Sequence, residues 1–154
     1  MIHVHIGDLL KSDCNVIAHQ ANCMGVMGAG IARQIASMYP EAYRADLEYS
    51  IPIGSRERLG RFSYARVRHQ GHTRIVVNLY GQYRYGRGLH TNYQALESAV
   101  RSLLKKLQKL ERVKLGMPYG IGCGLAGGDW NIVYSMLSRL SDEYGIDIRL
   151  YKLK

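Results

Sequence analysis

Two glycine-rich loops constrain this chain more than any other feature. The first is Gln20-Ala-Asn-Cys-Met-Gly-Val-Met-Gly-Ala-Gly30, and the second is Tyr119-Gly-Ile-Gly-Cys-Gly-Leu-Ala-Gly-Gly128. Each stands between a strand-like run and a helix-like one. Asn15 to His19 is a short apolar run ahead of the first loop, and Ile31, Ile35 and Met38 then recur at helical spacing until Pro40. Val113 to Pro118 precedes the second loop, and after it Asp129 caps a helix whose apolar face is Trp130, Val133, Leu137, Leu140 and Tyr144. Glycine lets backbone amides approach a ligand closely, and a helix N-terminus adds unpaired N–H groups. Strand–loop–helix junctions of this kind are anion cradles at the carboxyl end of a sheet.

The rest of the chain repeats the alternation. Residues 2–6 read as a strand ending at Gly7-Asp8, and Pro40-Glu41 opens a short helix. Arg61 to His69 and Arg74 to Tyr80 are strand-like, with Gln70-Gly71-His72 as a hairpin turn. Tyr93, Leu96, Val100, Leu103, Leu107 and Leu110 mark a long helix, and Ile146, Ile148 and Leu150 a final strand. The pattern predicts an α/β domain of three layers (α/β/α) with a mixed central sheet, formed as one unit over residues 1–154. A chain of this length buries roughly 70% of the surface it exposes unfolded, so it needs neither disulfide nor metal. No run is apolar enough to span a membrane, and no signal peptide is visible, so no membrane partner is expected. Cys14, Cys23 and Cys123 lack CxxC spacing and read as free thiols, which points to the cytoplasm.

Lys and Arg number 21 against 12 for Asp and Glu, a formal charge of +9 that draws polyanions. The loop from Tyr80 to His90 interleaves Tyr83 and Tyr85 with Arg84 and Arg87, a composition that can stack on bases or clamp phosphates. Lys105, Lys106, Lys109, Arg112 and Lys114 read first as a solvated helix end. The chain has no GxxxxGK[ST], and Gly25, Gly28 and Gly30 do not follow the GxGxxG order. His3 and His5 share a strand face without a third ligand, so no metal is expected, and His69 and His72 read as solvated. Cys23 and Cys123 read as small packing residues.

Gly7-Asp8-Leu9, His19 to Ile31, Pro118 to Leu125 and the closing strand with Tyr151 together resemble a macrodomain across essentially the whole chain. The loop wording is most similar to the branch holding terminal-ADP-ribose protein glycohydrolases and yeast-type ADP-ribose 1″-phosphate phosphatases. The resemblance implies an ADP-ribose ligand, or an ADP-ribosylated substrate, and no cofactor. It implies that Asp8 accepts the adenine amine and that Asn22 reaches the distal ribose. Gly28, Ala29, Gly30 and Ile31 would cover the diphosphate and distal ribose from one side, and Gly120, Ile121, Gly122, Cys123, Gly124 and Leu125 from the other. Tyr151 would lie against the adenosine half.

The glycohydrolase branch carries a lysine in the loop before the long helix and an acid just after the second glycine loop. Here no lysine lies between Lys11 and Lys105, and Ala126 follows Gly124-Leu125. His19, with an ordinary pKa of about 6.5, and Asp129 are the substitute acid–base candidates, His19 expected to point at the distal ribose. The implied activity is hydrolysis at the distal ribose, of a 1″-phosphate or of an ester-linked protein or nucleic-acid attachment. The alternatives are a catalytically silent ADP-ribose reader and a basic nucleic-acid-binding module.

Overall fold

Short β-rich runs pair in parallel because helices of nine to fifteen residues return the chain across the sheet between most of them. The computed structural model describes all 154 residues, Met1 to Lys154. In chain order the elements are β1 (Ile2–Ile6), β2 (Val16–Ala21), α1 (Gly30–Met38), α2 (Pro40–Leu47), β3 (Phe62–His69), β4 (His72–Tyr80), α3 (Tyr93–Leu107), β5 (Leu115–Pro118), α4 (Trp130–Tyr144) and β6 (Ile148–Lys152). Short 3-10 turns occupy Leu9–Lys11 and Arg56–Arg58. The sheet runs β1-β6-β5-β2-β4-β3, parallel throughout except for the antiparallel edge strand β3. It is the mixed three-layer sheet the alternation predicts.

Strand alternation divides the core. Val16, Ala18, Val77 and Leu79 face α3 and α4, while Ile17, Val76 and Val67 face α1 and α2. β2 and β5 are neighbours, with Val16 opposite Leu115, so the loops that follow them leave from one end of the sheet. Close packing at the strand pair needs Gly116, since a Cβ there would lie 2.7 Å from Cys14 Sγ and from Leu9 Cδ1.

Some boundaries differ from the sequence expectation. α3 stops at Leu107, and Leu110, expected on its apolar face, is exposed beyond the tight turn in which the Lys109 amide donates to Lys106 O. Val113 lies ahead of β5, because Asn15 Oδ1 accepts the Lys114 amide in place of a strand partner. Ile146 belongs to the end of α4: Gly145 turns left-handed at φ 64° and the Ile146 amide donates back to Ser141 O. β1 is an outer strand, so Val4 and Ile6 are exposed.

Candidate functional site

The free main-chain donors are what set the two glycine loops apart from ordinary turns. α1 begins at Gly30 behind an N-cap, Ala29, that offers no side-chain acceptor. The amides of residues 28–32 accordingly make no hydrogen bond within the chain, and Gly28, Ala29 and Gly30 are exposed. In the second loop the amides of Ile121, Cys123, Gly127 and Gly128 close onto Pro118, Gly120, Gly124 and Gly122. Those of Gly120, Gly122, Gly124, Leu125 and Ala126 are left free. The loops meet: a Cβ on Gly30 would lie 3.5 Å from Leu125 Cδ1. Two sets of unspent N–H groups therefore lie on loops in contact, with the positive end of α1 beside them.

Each loop is mounted differently. In the first, Asn22 folds back on itself, its Oδ1 accepting the Met24 amide at 2.9 Å and its Nδ2 donating to Val26 O at 2.8 Å. Tyr43 OH donates to Gly25 O, and Ile53 packs so closely that a Cβ on Gly25 (φ 71°) would sit 2.8 Å from its Cδ1. In the second, Gly128 passes so near Gly122 that a Cβ would lie 2.5 Å from the Gly122 carbonyl oxygen.

Residues 81–92 form an arm that joins both loops. At its root Tyr83 O accepts the Cys23 amide, and at its far end the His90 and Thr91 amides donate to Ala126 O. Gln20 ties it down from below, its Nε2 donating to Gln82 Oε1 at 2.8 Å and Thr91 Oγ1 at 2.9 Å, and Thr91 Oγ1 in turn donates to Gly122 O. The tip, with Arg84, Tyr85, Arg87 and Leu89, is exposed.

The other candidates take the following places. Asp8 is half-buried after β1 and accepts the Leu10 amide through Oδ1. Tyr151, on the neighbouring strand, stacks on His5 with ring centroids 5.1 Å apart and accepts a weak contact from Cys14 Sγ. Gly120 to Leu125 line the second loop. Asn22 is buried, and its amide is spent on holding the first loop.

His19 is not where the acid–base expectation put it. It has no exposed surface, lies on the α2 side of β2, and bonds Asn78 Oδ1 through Nε2 at 2.7 Å. Asn78 Nδ2 donates to Ala42 O and Ser63 Oγ, so Oδ1 faces the imidazole and Nε2 carries the proton. Burial, only partly offset by that bond, lowers the His19 pKa to about 4, so at neutral pH it is a neutral core residue. Asp129 stands across the sheet, exposed at the start of α4, with Oδ1 accepting the Asn131 amide and its own amide donating to Tyr93 OH. The fold does not bring the two together.

Sequence reasoning missed the polar interior that continues from His19. Ser63 Oγ bonds Tyr80 OH at 2.8 Å, and Tyr80 OH donates to Asp46 Oδ1 at 2.6 Å. The fully buried Arg58 donates to the same Oδ1 at 3.0 Å and to Ile51 O and Pro52 O, fixing the segment that carries Ile53. Arg74, also buried, gathers Leu10 O, Ser12 O, Cys14 O and Tyr39 OH. His69 is not solvated as expected: its Nδ1 bonds Tyr39 OH at 2.8 Å and burial lowers its pKa. The visible signal was polar residues, His19, Arg74 and Asn78, inside apolar strand runs. Burial pushes the Cys23 thiol up to about 11 and raises Cys123, which fits packing rather than nucleophilic roles.

The family model for the Macro domain matches residues 18–137. The chain belongs to the macrodomain family. It is 31% identical over 133 residues to an uncharacterised 17.5 kDa protein of Enterobacteria phage T4, covering 86% of this chain and 83% of the phage protein. It is 23% identical over 159 residues to a DNA ADP-ribosyl transferase–DNA ADP-ribosyl glycohydrolase fusion protein of Thermosipho africanus, covering 94% of this macrodomain and 40% of that protein. Among solved structures, the macrodomain of Mycobacterium tuberculosis DarG superposes with a TM-score of 0.77 at 23% identity, covering 98% of this chain and 97% of that one. The Thermosipho africanus DarTG complex with ADP-ribose gives 0.76 at 21% identity, over 97% of this chain and 41% of that one.

Proposed function

We propose that this macrodomain binds ADP-ribose and hydrolyses the bond that joins its distal ribose to an acceptor. The observation that carries the reading is the pair of neighbouring sets of free amides, residues 28–32 and residues 120, 122 and 124–126, on the loops that leave β2 and β5. A diphosphate presents acceptor oxygens on both sides and matches two rows of donors with no lysine or metal required. Asp8 and Tyr151 flank the end of β1 and β6, where an adenine would rest, and Asp129 flanks the other end of the second loop. The DNA ADP-ribosyl glycohydrolases among the relatives support a hydrolase.

In the proposed step the amide rows fix the diphosphate and so position C1″ of the distal ribose. Asp129 Oδ2, which bonds nothing in the chain, accepts a proton from a water as its oxygen bonds to C1″. The acceptor leaves with the electron pair of the broken bond and takes that proton. Fixed amide dipoles need no reorientation as charge shifts, which favours the transition state. His19 takes no part, since it is sealed from solvent.

The test is calorimetry with ADP-ribose, ADP and AMP, followed by turnover of ADP-ribose 1″-phosphate, an ADP-ribosylated oligonucleotide and an ADP-ribosylated protein. Asp129→Asn is expected to lower turnover by about 10²-fold or more while binding stays within threefold. A second reading, a reader without turnover, is favoured by the burial of His19 and by the lack of a lysine in the arm. Tight binding with no turnover of any of the three substrates establishes that reading instead.

A further inference from the structure

We propose that a single-stranded nucleic acid lies along a track that starts at the tip of the arm, crosses Arg56 and ends in a groove over the edge strand β3. The track is built from alternating guanidinium or ammonium groups and aromatic rings. At the arm, the Tyr83 ring has the Arg56 guanidinium 3.9 Å from its centroid and that of Arg84 at 5.8 Å, and its hydroxyl is anchored to Gly54 O at 2.6 Å. Arg56 opens the 3-10 turn that leads directly into Arg61 and β3.

There a cavity of about 540 Å³ opens between the end of α2, β3 and α3. Phe62 and Tyr64 line it with centroids 6.3 Å apart, and Lys106 Nζ stands 5.5 Å from the Phe62 ring. Arg61 closes one side, and its Nε donates only to the Glu57 carbonyl.

On this face unpaired cations stand beside rings, Arg56 and Arg84 at Tyr83 and Lys106 at Phe62. Elsewhere Arg139 is neutralised by Glu97, Arg149 by Asp13, and Arg101 by Glu97 and Glu143, while the exposed Arg33, Arg44, Arg66, Arg68 and Arg112 are unpaired and stand over no ring. Arg56, Arg61, Arg84, Arg87 and Lys106 make no ion pair with any carboxylate. The acidic groups on the track are Glu48, at the groove wall, and Glu57, beside Arg56. Cations beside the exposed rings of Tyr64 and Tyr85 suit a strand whose phosphates alternate with unstacked bases. A duplex keeps its base faces inside and cannot use Phe62 and Tyr64.

The β3 groove stands apart from the glycine loops, so its share of strand binding is separable from ADP-ribose binding. Only its meaning, a grip on the acceptor that carries the ADP-ribosyl group, rests on the function proposed above.

The experiment measures fluorescence anisotropy of an unmodified labelled oligothymidylate 12-mer, with calorimetry of ADP-ribose on the same proteins. The wild type is expected to bind the strand with an affinity that falls with salt, by roughly 0.7 in log–log slope per phosphate neutralised. Arg61→Glu/Lys106→Glu is expected to weaken strand binding at least tenfold, and Tyr64→Ala, at a half-exposed position, several-fold. Both variants keep the ADP-ribose affinity of the wild type. Equal strand binding by wild type and variants overturns the track, as does equal competition by a blunt duplex of the same strand length. Loss of ADP-ribose binding in the wild type, with strand binding intact, strikes the proposed function and leaves the track standing.

Discussion

The two glycine loops do the same thing by opposite means. The first is an irregular strand of donors hung on side chains: the Asn22 amide, the Tyr43 hydroxyl, Ile53 and, behind Ile53, the buried Arg58–Asp46 pair. The second is a knot of main chain, four of its amides closing onto carbonyls of the loop or of Pro118 and the arm donating into it at Ala126. Its helix is capped by Asp129, whereas α1 has no side-chain cap at all. A loop that leaves its helix uncapped keeps the full positive end for a ligand, and its shape has to be held from outside. A loop that bonds to itself holds its own shape and spends some of its donors doing so.

That contrast can be broken first at the side-chain mount. Asp46→Ala leaves the Arg58 guanidinium buried without its carboxylate, with an expected cost of about 3–5 kcal/mol in urea-denaturation stability. The same variant should weaken ADP-ribose binding through the first loop only. If stability is unchanged, the first loop does not depend on this pair.

Acid tests the same interior. His19 titrates near pH 4 in the folded chain and about 6.5 when unfolded, so its contribution is complete above 6.5 and is lost as pH falls from there towards 4. The loss amounts to about 3 kcal/mol over that window. The raised pKa of Asp46 acts in the opposite sense, so the informative quantity is the difference between wild type and His19→Gln. A His19→Gln protein with the same pH slope as the wild type would contradict the burial argument.

The second loop has its own weak point. Gly128→Ala drives a methyl group into the Gly122 carbonyl, and since both partners are backbone neither can yield. ADP-ribose affinity is expected to fall about 100-fold, or ~2.7 kcal/mol, by calorimetry. Asn22→Ala in the first loop removes two hydrogen bonds and should lower stability by about 1–3 kcal/mol. The smallest effect belongs to Gly28→Ala, where a Cβ meets only Val26 Cγ1 at 3.6 Å, and the affinity should stay within about threefold of wild type. Should Gly28→Ala and Gly128→Ala weaken binding alike, the two loops are not held in different ways.

The layered fold was legible because long periodic stretches leave little choice. Leu96, Val100, Leu103 and Leu107 can bury a stripe only as a helix, and Gln70-Gly71 turns a hairpin because both residues adopt positive φ there. The loops were legible because glycine clusters between strand and helix have few other uses. The charged and polar interior was not. Whether Arg58 and Arg74 lie inside or outside depends on partners twelve and 60 to 64 residues away, and nothing local marks them. His19 shows the same limit: it lies on the second strand as read, though β2 runs on to Ala21 and so His19 is not at its end, and which face it takes is decided by Asn78 in the register with β4.

The amide rows carry one further consequence, for how such a site changes over generations. A main-chain N–H survives nearly every substitution, so the exposed Ala29 and Leu125 are free to drift while their donors persist. Discrimination among attached molecules must then be rewritten elsewhere, in the exposed tip of the arm, where each side chain stands alone and one codon alters one contact.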